Sequence, residues 1–218
     1  MSGAVVCLAR PWLEFDLGGE MEVLSWAVNR PGRVRARRIL WREVRNADLP
    51  EDLDAVEWLE RALRARDALD AVTFLTSRDV GCFTQAEARA GAAHAHAVAT
   101  VGLSNAERVG HRIDRSGHDW GTINVALQLN LGLGEAALIE AMSIAVEART
   151  AAVIAADLPL APGPATGTGT DCVALAAPAG DLPYAGLHTD PGEAVGRAVY
   201  DAVLEGALTW KATYGRAG

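Results

Sequence analysis

Thr122-Ile-Asn-Val-Ala-Leu-Gln-Leu-Asn130 is the stretch on which the fold class turns. Ile123, Val125, Leu127 and Leu129 alternate with Thr122, Asn124, Ala126, Gln128 and Asn130, the period of a strand with one strongly apolar face. Residues 134–156 follow as an Ala-rich stretch, with Leu138, Met142, Ala145 and Ile144 or Val146 available for a buried stripe, and this predicts a long helix. Past a Pro/Gly/Thr loop (159–170), Cys172–Ala177 reads as a continuous apolar strand. Asp190-Pro-Gly-Glu193 then opens a last helix, with Asp190 as cap, Pro191 at the first position and Glu193 reaching back.

Toward the N-terminus, Leu13, Phe15 and Leu17 alternate with Glu14 and Asp16. Gly18-Gly19 reads as a hairpin turn, with Glu22–Val28 as the return strand. Val34 and Ala36 alternate with arginines, and Ile39 and Trp41 continue one position out of phase, which predicts a bulge near Arg37-Arg38. Asp48, Pro50 and Glu51 carry the signature of a helix start, with Leu53, Val56, Leu59 and Leu63 on one face. Ala71–Thr76 reads as a strand, Gln85–Arg89 as helical, Ala97–Leu103 as a strand and 107–120 as a loop. Strands and helices are interspersed without a linker. The expectation is one domain over residues 1–218, α/β or α+β, with a mixed sheet, antiparallel hairpins at the N-terminus and helices packed on the sheet.

Composition narrows the function class. Half of the 218 residues are hydrophobic and 22% are charged, which suits a chain with a well-buried core. Twenty-eight acidic against 20 basic residues give a net charge of −8, which argues against nucleic-acid or anionic-membrane partners. No apolar run approaches a membrane span and the start lacks a signal-peptide prefix, so a cytoplasmic protein is expected. Cys7, Cys82 and Cys172 are odd in number and far apart, suggesting neither a disulfide framework nor a zinc cluster. Arg30, Arg33, Arg35, Arg37, Arg38, Arg42 and Arg45 read either as the solvent side of a strand that blunts edge pairing or as a landing patch for an anion.

Chemistry concentrates in a few segments. Ala165-Thr-Gly-Thr-Gly-Thr-Asp171 combines backbone accessibility at Gly167 and Gly169, hydroxyls at Thr166, Thr168 and Thr170, and one carboxylate, Asp171. It matches neither a Walker loop nor a dinucleotide fingerprint. Tyr184-Ala-Gly-Leu-His188 leads into a helix N-terminus, a place suited to developing negative charge. Asn105 and Asn124 sit at strand ends, where an amide can read an amide. His94-Ala-His96 would present both rings on one face of a strand, but no third ligand stands at conventional spacing, so no metal is expected. Ser116-Gly-His118 lacks the Asp that would polarise a cobalt-binding imidazole, and it is set aside. Gly121-Thr122 is a junction at which a self-cleaving amidase could expose a threonine, against the plainer reading of Thr122 as a strand residue.

In order along the chain, Ser25-Trp-Ala-Val-Asn-Arg-Pro-Gly32, Val72-Thr-Phe-Leu-Thr-Ser-Arg-Asp-Val80, Ala97–Ala106, Gly121-Thr-Ile-Asn-Val125, Ala165–Asp171, Tyr184–Thr189 and Gly196-Arg-Ala-Val-Tyr200 resemble the adenosylcobinamide amidohydrolase family of corrinoid salvage. The resemblance spans residues 25–200. It implies cleavage of the aminopropanol amide of adenosylcobinamide to give adenosylcobyric acid, with the corrinoid as substrate. Because the residues show no dinucleotide fingerprint, no P-loop and no convincing metal-ligand set, no further cofactor is expected. Ser104, Cys172 and His118-Asp119-Trp120 depart from the expected pattern and bear on preference among corrinoids. The residues themselves suggest roles. Asp171 is expected to be the base for water and His188 the acid for the leaving nitrogen. Loop N–H groups would hold the oxyanion, while Asn105 and Asn124 grip the amides around the corrin. The competing readings are a non-catalytic corrinoid binder and an amidase for another small molecule. Oligomeric state cannot be read from the sequence.

Overall fold

A computed structural model describes residues 4–45, 54–112 and 121–215. The second half follows the sequence reading closely. β8 (Ile123–Leu129) and β12 (Cys172–Ala177) run parallel side by side, with Cys172 opposite Asn124 and Ala176 opposite Gln128. β12 is buried at every residue, as a central strand covered on both faces must be. Outward from this pair the order is β4 (Val72–Thr76), β3 (Gly32–Glu43), β2 (Trp12–Ser25), β12, β8, β6 (Ala93–Val101) and β5 (Thr84–Ala90), with β1 (Val5–Ala9) pairing the first half of β2. The sheet is mixed: β3–β4 and β12–β8 are parallel, the other pairs antiparallel.

β2 departs from the sequence expectation. Gly18-Gly19 does not turn the chain; one 14-residue strand runs straight through it. The register with β3 jumps from Asp16↔Arg38 to Met21↔Ala36, so the predicted bulge is present opposite Arg37. Its extra residues lie on β2, where Gly18 takes φ 72° and donates its N–H to Asp16 Oδ1 at 2.8 Å. The hairpin instead precedes β2, at Arg10-Pro11, between β1 and β2.

The sheet bends back on itself around a shared interior. Leu13, Phe15, Leu17, Ile39, Trp41, Val72 and Phe74 from the first half cluster with Val98, Ala126, Cys172, Ala174 and Ala176 from the second. Phe15 meets the His96 ring edge-on at 4.9 Å, and Gln128 Nε2 donates to Leu17 O at 2.8 Å across the gap. On the outer face of β6, β8 and β12 lie α2 (Glu135–Ala155) and α3 (Asp190–Tyr214), packed through Ala137, Ala141, Ala145, Ala194, Ala198 and Ala202 onto Ile123, Val125, Leu127 and Leu129. Small residues bring helix and sheet close: a Cβ on Gly206 would lie 2.6 Å from Val101. On the opposite outer face, α1 (Ala55–Ala65) packs Leu59 and Leu63 against Trp12 and Leu40. The layers thus run helix, sheet, sheet, helix.

Several local expectations are corrected. Gln85–Arg89 is a strand within β5, because each of its residues stands opposite one of β6 in a regular antiparallel ladder. α3 is capped by Thr189, whose Oγ1 accepts from Gly192 N at 3.1 Å, one residue before the predicted Asp190. Val56 is exposed, while Asp54 Oδ1 caps α1 through the N–H groups of Val56 and Glu57. The predicted start at Asp48–Glu51 lies outside the described residues. The 107–120 loop begins with a short strand, β7 (Ala106–Glu107), and residues 113–120 also lie outside the description. Within 159–170, β9 (Pro159–Leu160) pairs β10 (Gly163–Pro164), and β11 (Gly167–Thr168) pairs β7. The arginine run is met largely by the protein's own acceptors: Arg33 and Arg35 by Glu22, Arg38 by Asp70.

Among the described residues no helix is long and apolar enough to cross a membrane. Cys7, Cys82 and Cys172 are free thiols.

Candidate functional site

The parallel pair β8–β12 places the first residues of both strands, and the loops before them, at one end of the sheet. The segment after β6 arrives at the same end, since Val101 pairs Ile123 and Gly102 N donates to Thr122 O at 2.9 Å. β7 then pairs β11, setting Ala106 opposite Thr168 and Glu107 opposite Gly167. Residues distant in sequence therefore converge: Asn105, Thr122, Asn124 and Thr166–Asp171.

Asp171 is the knot of this convergence. Oδ1 accepts from Ile123 N at 3.0 Å and from Thr168 Oγ1 at 2.5 Å; Oδ2 accepts from Thr168 N at 3.0 Å and pairs Arg149 Nη1 of α2 at 2.9 Å. The side chain is only 6% exposed. Burial raises its pKa, opposed by the Arg149 guanidinium and by the Thr168 and Ile123 donors, which favour the anion. A carboxylate offers about four acceptor positions, and the donors named here fill all of them. As found, Asp171 has no lone pair free to take a proton from water.

The loop around it is equally tied. Thr170 Oγ1 donates to Gly121 O at 2.8 Å, and Thr122 Oγ1 lies 2.9 Å from Thr170 O and 3.3 Å from Asn124 Oδ1. Thr166 Oγ1 accepts from Val109 N at 2.8 Å. Gly167 is required by space, because a Cβ would stand 2.5 Å from Asp171 Oδ2; Gly169 is open, with nothing within 4 Å. Asn124 is a staple between strands: its Nδ2 donates to Leu75 O at 2.9 Å, joining β8 to the end of β4. Asn105 differs, being buried with an Oδ1 that accepts from no donor among the described residues. Trp26 closes one side, its indole donating to Asp171 O at 2.7 Å while 45% of the residue stays exposed.

His188 is not part of this assembly. It is an exposed residue in the turn before α3, whose first residue, Asp190, has its carboxylate against Gly91 in the β5–β6 turn. That turn lies beyond the Leu129 end of β8, whereas Asp171 sits at the Ile123 end. The six residues of β12 between the two ends span about 20 Å. The predicted base–acid partnership of Asp171 and His188 is therefore not formed. His94 and His96 do share a face, but their Nε2 atoms meet Glu87 and Gln85 of β5, and burial lowers the His96 pKa. Among the described residues no group of three or more His, Cys, Asp or Glu is placed to hold a metal ion. A shallow groove of about 460 Å³ between α2 and α3, lined by Ala148, Gly196, Arg197, Tyr200 and Asp201, includes none of the predicted site residues.

A family model described as CbiZ, adenosylcobinamide amidohydrolase, matches residues 4–215. The chain belongs to this family. Comparison with curated proteins returns no match. The match covers all the strands and helices above, including those that form the polar end of the sheet.

Two residues at this polar end of the sheet, Arg149 and Trp26, escaped sequence reasoning. Arg149 carried a signal, since it lies four residues from Ala145 and four from Val153, both fully buried. An arginine on the buried stripe of an Ala-rich helix asks for an acid.

Cys172, next to Asp171, is not a competing nucleophile. Burial, with Asp171 adding to it, pushes its thiol up to about 12 from the usual 9.0, so the sulfur is protonated at neutral pH. Between those two values the unfolded chain has lost a proton that the folded chain still holds, so stability falls as pH rises through that window and is unaffected below it. Relative to wild type, Cys172→Ala is expected to gain stability between about pH 8 and about pH 10.5 in urea unfolding. A constant difference between the two pH values would contradict the assignment.

Proposed function

We propose that the chain hydrolyses the amide joining aminopropanol to adenosylcobinamide and releases adenosylcobyric acid. The observation that supports this most is the convergence of Asn105, Thr122, Asn124 and the Thr166–Asp171 loop on one end of the sheet, in a chain whose family match runs over residues 4–215. Asn105 brings a buried amide oxygen without a donor among the described residues, suited to an N–H of a corrin side-chain amide. Gly169 and Thr170 are the exposed part of the loop and meet the substrate there, while Thr166, Gly167 and Thr168 shape it from beneath. Asp171 and Arg149 hold the loop; in this reading Asp171 is a positioning residue and the base expected from the sequence is not required of it. His188 lies outside the reacting centre, and His188→Ala is expected to keep wild-type turnover.

The reaction needs no bound cofactor besides the corrinoid in this proposal. Incubation with adenosylcobinamide, followed by mass spectrometry, is expected to show adenosylcobyric acid and free aminopropanol, with full activity after exhaustive chelation. Substrate left intact at stoichiometric protein would move the reading to a corrinoid binder. Activity lost to chelation and restored by one divalent ion would overturn the cofactor proposal.

A further inference from the structure

Arg78 is a buried cation with no ion-pair partner among the described residues, the nearby Asp79 feeling its charge only at a distance. It stands two positions past β4, its backbone N–H donating to Thr76 Oγ1 at 3.0 Å, and it is only 7% exposed. Its Cζ lies 5.4 Å from the ring centroid of Tyr214 at the end of α3. A Cβ on Gly102 would lie 3.5 Å from Thr122 N and 3.7 Å from Arg78 Cβ, so the arginine borders the same polar end as Thr122 and Asn124. Asn124 itself bonds Leu75 O, three residues before Arg78. Among the described residues no carboxylate pairs with Arg78, and its buried Nε has no partner. The adjacent Asp79 is turned to Arg10 and to Gly81 N.

A guanidinium stays charged whatever its surroundings, and burying a charge without a counter-charge is unfavourable. Such an exception to internal consistency marks places where a ligand completes the structure. The proposed reaction generates one new negative charge, on the carbonyl carbon's oxygens. Water adds to that carbon, the C–N bond breaks, the amine leaves carrying both protons of the water, and a carboxylate remains. The planar donor fork of arginine fits such a carboxylate bidentately. We propose that Arg78 receives the scissile carbonyl oxygen, stabilises the oxyanion as water adds, and then holds the product carboxylate. This rests on the hydrolase reading above and gives that site its missing electrostatic element.

Arg78→Met tests it, because the substitution keeps an unbranched side chain and removes the charge. The expected result is a fall in kcat of about 10²–10³. Binding of adenosylcobyric acid should weaken about tenfold or more, with adenosylcobinamide binding changed by less than about threefold. The melting temperature should not fall, since a buried charge without an ion-pair partner has been removed. Unchanged affinity for the acid overturns the proposal, as does an equal loss of both ligands with a lowered melting temperature, the mark of a merely structural arginine. Wild-type protein that does not turn over adenosylcobinamide would defeat the hydrolase reading alone; a selective loss of acid binding in Arg78→Met would still establish the anion site.

Discussion

Asp171→Asn is expected to destabilise the protein by about 3–5 kcal/mol, the usual consequence of breaking a buried ion pair from one side. For a domain of this size that corresponds to a melting temperature roughly 6–20 °C lower. The cause is specific. Arg149 is left charged and unpaired inside, and one carboxylate oxygen becomes an N–H₂ that faces the donors Ile123 N, Thr168 N or Thr168 Oγ1. Turnover should fall with it, because the loop that Asp171 holds also carries Gly169 and Thr170. The pairing with Arg149 gives an internal check. Arg149→Met alone strands the carboxylate, whereas Asp171→Asn combined with Arg149→Met strands neither, so the double variant should be more stable than the sum of the single changes predicts. An Asp171→Asn protein that melts like wild type yet loses 10²–10⁴ in kcat would reverse the assignment and restore the general-base role.

The sequence exposed the parts of this molecule that depend on short-range pattern. Alternation from Thr122 to Asn130 and the apolar run Cys172–Ala177 are strands because their neighbours in the fold demand nothing unusual. Gly18-Gly19 misled because the same residues that close a hairpin also permit a bulge, and only the partner strand's register distinguishes them. Gln85–Arg89 misled because alanines favour a helix locally, while the long ladder with β6 decides otherwise. The site divides in the same way. Asn105, Asn124 and the Thr166–Asp171 loop were visible as residue types at strand ends, and the sheet does bring them together. The partners of Asp171 were not visible, because Arg149 comes from a helix 22 positions earlier in a chain whose three-dimensional crossing no periodicity reports. His188 looked apt for its place before a helix, but that helix begins at the other end of the sheet.

Gly121→Ala should have the next largest effect, and it acts on the site through space alone. The backbone at Gly121 is not among the glycines with positive φ, so alanine meets no conformational penalty there. Its Cβ, however, would stand 2.8 Å from Gly102 O, 2.8 Å from Ser104 N and 2.9 Å from Asn105 Oδ1. Two of those atoms belong to the backbone and cannot swing aside as a side-chain tip can. The segment between β6 and β7 must move away from β8, taking the Asn105 side chain with it. Overpacking of this kind costs about 1–3 kcal/mol, or roughly 2–12 °C in melting temperature for a chain of this length. Because the displaced groups are those proposed to hold the corrin amides, KM for adenosylcobinamide should rise more than kcat falls. Gly169→Ala provides the matched control: it lies in the same site, has open space around the position of a Cβ, and should melt like wild type. If Gly121→Ala melts like Gly169→Ala and keeps the wild-type KM, then the close approach of β6, β8 and Asn105 does not shape the substrate site.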